Sequence, residues 1–157
     1  RADTARLRSL VGERLVARGV TVAETPSLAA IIDLHKERVG NLNELADAAE
    51  VFYVPPRPPA DRLAKHVTPD ALPVLADFVA GLATVAWEKA AIGALIKECV
   101  ARHGVKMPRL AMPVRILLTG QEQTPSVDAL VTLFPRELAL KRLTMVAVVG
   151  NNADLRD

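Results

Sequence analysis

Prolines set the length of everything this chain can build. There are 11 of them in 157 residues. Each removes a backbone donor and is barred from the interior of a helix, yet each is welcome in a first turn, where its missing N–H has no partner to lose. The chain therefore reads as a series of short helices opened by proline. Its strongest break is VPPRPP, residues 54 to 59, because paired prolines continue neither helix nor ladder.

Apolar residues between these breaks recur at helical spacing. Leu7, Leu10, Val11 and Leu15 share one face of a first segment, Thr4 to Arg18, which Gly19 ends. Thr25-Pro26 reads as an N-cap with proline at the first helical position. That helix would run through Ile31 and Ile32 to Arg38, with Gly40 closing it. Asn41 to Glu44 resembles a capping box ahead of a third helix carrying Leu45, Ala49 and Phe52. After the break come a turn or two at ADRLAKHV and a helix opened by Thr68-Pro69-Asp70 that reaches Leu82. A long amphipathic segment then runs from Trp87 to His103, closed by Gly104. Three short helices follow, over 108–118, 125–133 and 135–143, each with proline at its start. Nothing alternates with period two before residue 144. The expected fold is all-α, with two small helical subdomains at 1–66 and 67–143 and a tail at 144–157 whose structure the sequence leaves open.

Aromatics make up 3% of the chain and apolar residues 50%, so the core must be built from Ala, Leu and Val, which suits helices. The single cysteine, Cys99, excludes an internal disulfide and points to a reducing compartment. No run approaches the length of a membrane span. The first residue is Arg, so a longer parent chain is expected.

The eight glycines are scattered, which leaves no phosphate-cradling loop. His35, His66 and His103 lack metal-ligand spacing. Cys99 and His103 are four residues apart and share a helical face. Their arrangement suits either a nucleophile with its base or a buried thiol beside a helix-terminal histidine. Charge is more informative. The net charge is +2, too small for a surface that coats nucleic acid everywhere. Yet the stretch from Cys99 to Gln121 has no acid and carries Arg102, Lys106, Arg109 and Arg115. Such a window is either a basic surface without a ligand or a face for phosphates and bases. Arg115, set between Val114 and Ile116, is either a stem laid along an apolar face or a fork held ready for an anion.

HGVKMPRLAMPVRILLTGQEQTPSVDALVTLFPRELALKRL, residues 103 to 143, resembles the C-terminal end of bacterial glutamyl-tRNA synthetases. That family ends in G-x-K, then P-L-R-x-x-L-T-G, a short linker, and [ST]-P before a helix. Gly104, Lys106, Pro113, Arg115, Thr119, Gly120, Thr124 and Pro125 stand in those places, with Val114 for the usual Leu and Pro135 where the family has Gly. The resemblance extends over about residues 1 to 143 and is carried most by Trp87 to Leu143.

It implies the all-α anticodon-binding part of a class I synthetase, without the catalytic domain. Arg115, Thr124, Pro125 and Val127 would contact anticodon nucleotides, with Thr124 capping the helix that Pro125 opens. Arg102, Lys106 and Arg109 would form a supporting basic patch. Arg38, in LHKERVGNLNEL, would read the third anticodon base. Asp128 falls where members carry either Phe or Asp. The implied partners are the anticodon loop of tRNA(Glu) and the catalytic domain of the same chain. ATP and magnesium would belong to the whole enzyme and no cofactor to this part. A cytoplasmic monomer is expected. Two other readings compete: a helical protein-docking module, and an enzyme using Cys99 and His103.

Overall fold

A computed structural model describes residues 3 to 145. Among these residues every regular element is a helix and there is no strand. The first group is α1 (Thr4–Ala17), α2 (Leu28–His35) and α3 (Leu42–Glu50). The second is α4 (Ala60–His66), α5 (Leu72–Leu82), α6 (Lys89–His103), α7 (Met107–Thr119) and α8 (Val127–Leu133), followed by a last helix, α9, over 136–145.

Caps explain the boundaries. Asp3 accepts from the Arg6 N–H at 2.8 Å and starts α1. Gly19, with φ +80°, follows its end. The start read at Thr25-Pro26 is displaced: Ser27 is the N-cap, its hydroxyl accepting from the Ala30 N–H at 3.3 Å. This helix also stops at His35 and not at Arg38, which leaves Arg38 in the turn before α3. Asn41 does cap α3, accepting from the Glu44 N–H at 2.8 Å. The Glu44 carboxylate reaches back one residue further than a capping box requires, to the Gly40 N–H at 2.7 Å. At Thr68 the hydroxyl bonds to Asp70 and caps nothing. The chain instead makes a 3₁₀ turn, Pro69–Ala71, before α5. Gly104 and Gly120, at φ +61° and +74°, end α6 and α7 in the left-handed conformation that glycine adopts at no steric cost.

Helix α1 packs on α2 and α3, α5 on α6, and α6 on α7 and α8. Helix α4 lies against α7. The groups share one apolar core. It includes a small aromatic cluster: Phe52 stacks on Phe134 at 4.7 Å, and His35 meets the Phe52 edge at 5.8 Å. Of the expected tail, residues 144 and 145 belong to α9, and 146–157 lie outside the described residues.

Candidate nucleic-acid interface

The loop between α7 and α8, residues 120–126, is held from several sides. Arg62 of α4 donates to the Gly120 carbonyl at 2.8 Å. His66 lies 2.5 Å from the Glu122 carboxylate, and Lys65 adds a pair at 3.6 Å. At the α7 end, Thr119 donates to the Arg115 carbonyl at 2.9 Å and accepts from the Gln121 N–H at 3.1 Å. A loop tied this way presents its atoms in fixed places.

Two arginines converge on it. Arg115, in the turn of α7 after Pro113, donates from Nε to the Thr124 hydroxyl at 2.9 Å. Arg38 donates from Nη2 to the Thr124 carbonyl, also at 2.9 Å. The two residues lie 77 positions apart in the chain and meet on one threonine. Burial lowers the Arg115 pKa, and the charge of Arg38 lowers it further. Among the described residues the ion pairs involve Arg18, Lys36, Lys65, His66, Arg102, His103 and Arg109, and leave Arg38 and Arg115 without a carboxylate. Two uncompensated guanidiniums side by side repel each other, and an anion or a base edge rich in acceptors relieves that repulsion.

Beside them opens a cleft of about 230 Å³ lined by His35, Arg38, Phe52, Thr119, Gln123 and Thr124, among others. His35 shares a 2.7 Å hydrogen bond between Nδ1 and the Ile31 carbonyl. The carbonyl can only accept, so Nδ1 carries the proton and Nε2 is left as an acceptor. Burial pushes this imidazole below its ordinary value. The Ile31 carbonyl pulls the other way, and Arg38 adds to the lowering.

Other expected site residues fall elsewhere. Pro125 lines the cleft, but it is buried and lies outside α8. Ser126 is the N-cap of α8, so Thr124 does not cap it. Its hydroxyl is engaged by Arg115 and by the Pro125 carbonyl at 2.7 Å. Val127 is 7% exposed and turned into the core, leaving its side chain no surface for a base. Asp128 accepts from the Ala129 N–H at 2.8 Å, and its carboxylate lies over Gly93 of α6. The supporting basic patch is largely neutralised. Arg102 pairs with Asp77 at 2.6 Å and with Glu98, and Arg109 pairs with Asp70. The window had no acid in sequence, and the fold brings acids to it from α5 and from the 3₁₀ turn before it. Lys106 is the exposed residue before α7. Cys99 is fully buried, and burial first and Asp77 second push its thiol up, away from thiolate. His103 is bonded to Asp77 at 2.9 Å. The nucleophile reading therefore has no support. Among the described residues no three His, Cys, Asp or Glu side chains gather as metal ligands.

Several residues that shape the cleft escaped the sequence reading. Arg62, His66 and Glu122 hold its loop, and their partners lie more than fifty positions away. Arg142 had one available signal. Three residues after Ala139 and one before Leu143, it falls on the apolar face of its helix, where a cation is out of place.

Residues 5–147 match the family model described as an anticodon binding domain. A curated glutamate–tRNA ligase from Dechloromonas aromatica is 53% identical over 133 residues, covering 85% of this chain and 29% of the relative. Another from Janthinobacterium is 52% identical over 142 residues, covering 90% and 31%. The crystal structure of a glutamate tRNA ligase from Elizabethkingia meningosepticum, in complex with its amino acid, superposes with a TM-score of 0.78 at 19% identity, over 91% of this chain and 28% of that one. The chain thus spans about 30% of the length of the curated relatives it matches.

Proposed function

The chain belongs to the anticodon binding domain family, and from that premise we propose that it is the part of a glutamate–tRNA ligase that reads the anticodon loop of tRNA(Glu). The observation that carries this reading is the meeting of Arg38 and Arg115 on Thr124 at the mouth of a cleft. Unpaired loop bases can be splayed out, so their edges are readable by hydrogen bonds. Each arginine spends part of its fork on Thr124 and keeps further N–H donors with no oxygen acceptor among the described residues. Arg38 reads the third anticodon base and Arg115 contacts the bases or phosphates before it. Thr124 holds both forks, and Pro125 walls the cleft. Lys106 adds a nonspecific phosphate contact.

The catalytic domain of the same enzyme would supply the rest. It would hold ATP and magnesium and attach glutamate, while this part, with its two helical subdomains, carries no cofactor. The whole enzyme would act as a cytoplasmic monomer. No helix among the described residues is long and apolar enough to cross a membrane. The docking-module reading has less behind it. Among the described residues the exposed large apolar ones, Val16, Val54, Leu72, Met107 and Met145, lie on separate elements.

A salt-dependent titration of the chain with the anticodon stem-loop of glutamate tRNA tests the proposal. Affinity should fall as salt rises, since phosphate contacts release counterions. It should also fall when the anticodon is changed within the same stem. Equal binding to every loop sequence would sink the reading.

A further inference from the structure

Arg142 is a buried cation without an acid partner among the described residues. It is 5% exposed. Its fork is spent on carbonyls. Nη1 donates to Leu118 at 2.7 Å and to Val51, and Nη2 reaches the Phe52 carbonyl at 3.4 Å. Nε is buried without a partner. The guanidinium lies 5.0 Å over the Phe134 ring, and burial lowers its pKa to about 10.

Those carbonyls are the free ends of two helices. Val51 and Phe52 follow α3, and Leu118 sits in the last turn of α7. Helix C-termini carry unpaired C=O groups and partial negative charge, which is what a buried cation needs in place of an acid. One planar fork therefore fastens the end of a helix from the first group to the end of a helix from the second. An apolar residue would fill the space without the cost of an unpaired Nε, so the arrangement serves position.

What it positions is the cleft. Phe52 is one wall and contacts His35, at the end of the helix that leads to Arg38. Thr119, next to Leu118, is the other wall and holds the Arg115 carbonyl. We propose that Arg142 is a positioning residue for anticodon reading: by binding the α3 and α7 ends together it sets the spacing at which Arg38 and Arg115 meet. This rests on the function proposed above.

Two variants test it in the 157-residue chain. Arg142→Met removes every donor. Arg142→Lys keeps the charge but cannot span three carbonyls with one ammonium. Spin labels at V16C on α1 and M107C on α7, both exposed in the wild type, report the distance between the groups, while buried Cys99 stays unlabelled. The wild type should give one narrow distance distribution, and Arg142→Met a broader one with unchanged helical content. Affinity for the glutamate stem-loop should fall by roughly tenfold or more in Arg142→Met and less in Arg142→Lys. The further loss from Arg38→Gln should shrink in the Arg142→Met background, because the two residues act through one geometry. Unchanged distances would overturn the proposal, as would Arg38 and Arg142 losses that simply add. If Arg142→Met shows no cooperative melt, Arg142→Lys carries the same comparison. Should the wild type bind all stem-loops alike, the anticodon reading fails, and the label distances still decide whether Arg142 holds the groups together.

Discussion

Arg115 is bonded to Thr124 and wedged beside Arg38, so a change at 115 separates binding from folding. Arg115→Ala puts the best helix former into α7 and removes a repulsion. The helical signal and melting temperature should hardly move. Stem-loop affinity should fall by about 1–3 kcal/mol, the worth of one base or phosphate contact. A variant that melts much earlier and binds normally would make Arg115 structural. Arg38→Gln, made in the whole ligase, tests specificity. Glutamate and glutamine tRNAs differ at the third anticodon base, C against G. On the Watson–Crick edge a donor fork suits the N3 and O2 acceptors of C and meets the N1–H and N2–H donors of G badly. The variant should narrow the gap in charging efficiency between the two tRNAs, by about 1–3 kcal/mol. If both efficiencies fall together at a constant ratio, Arg38 is a phosphate contact. His35 gives a pH dependence. Burial lowers its pKa, so the unfolded chain takes up a proton that the folded one resists. Stability is then lost as pH falls through the ordinary histidine range, near about 6.5. The melting temperature should drop between pH 7.5 and 5.5 by more in the wild type than in His35→Gln. At this scale the sequence showed Arg115, because an arginine inside an apolar run is conspicuous. It could not show that Asp77 reaches Arg102 and Asp70 reaches Arg109, since only the fold brings them together, although Glu98 lies four residues before Arg102.

Element boundaries were legible where one residue alone could act as a cap, as at Gly19, Asn41 and Gly104. They slipped where two candidates stood together. Ser27 displaced Thr25, and Ser126 displaced Thr124, each by two positions. The second slip altered the site. It freed Thr124 from capping to join the two arginines, and it turned Val127 into the core. The loop that results depends on Gly120. At φ +74° any other residue is strained, and an added Cβ would lie 3.1 Å from the Pro56 Cβ. Gly120→Ala should cost about 1–2 kcal/mol for the left-handed backbone, with a further loss for the displaced proline segment. Gly19→Ala is the control, with φ +80° and nothing within 4 Å of its added Cβ. Denaturant melts should show the larger drop at Gly120, and that variant alone should weaken stem-loop binding. Equal drops would mean that the contact with the 54–59 stretch contributes nothing.

At the scale of the molecule, all-α architecture was legible from helical spacing and from proline at helix starts. The shared core was not, because contacts such as those among His35, Phe52 and Phe134 join segments far apart in the chain. The 157-residue chain has no glycine-rich phosphate loop, and it should neither bind ATP nor activate glutamate. Pyrophosphate exchange above background would refute this. The Arg142 fastening also has a consequence in time. Ribosomes deliver the chain from its N-terminus, and α1 to α3 can pack as soon as they emerge. The carbonyls of Val51 and Phe52 must then wait for a donor 91 and 90 positions later. Phe52 waits 82 positions for its stacking partner Phe134, and Thr124 reaches Arg38 across 86 positions. During that interval Phe52 lacks the ring it stacks on. The cleft is complete only when the segment from Thr119 to Arg142 has folded onto the first group.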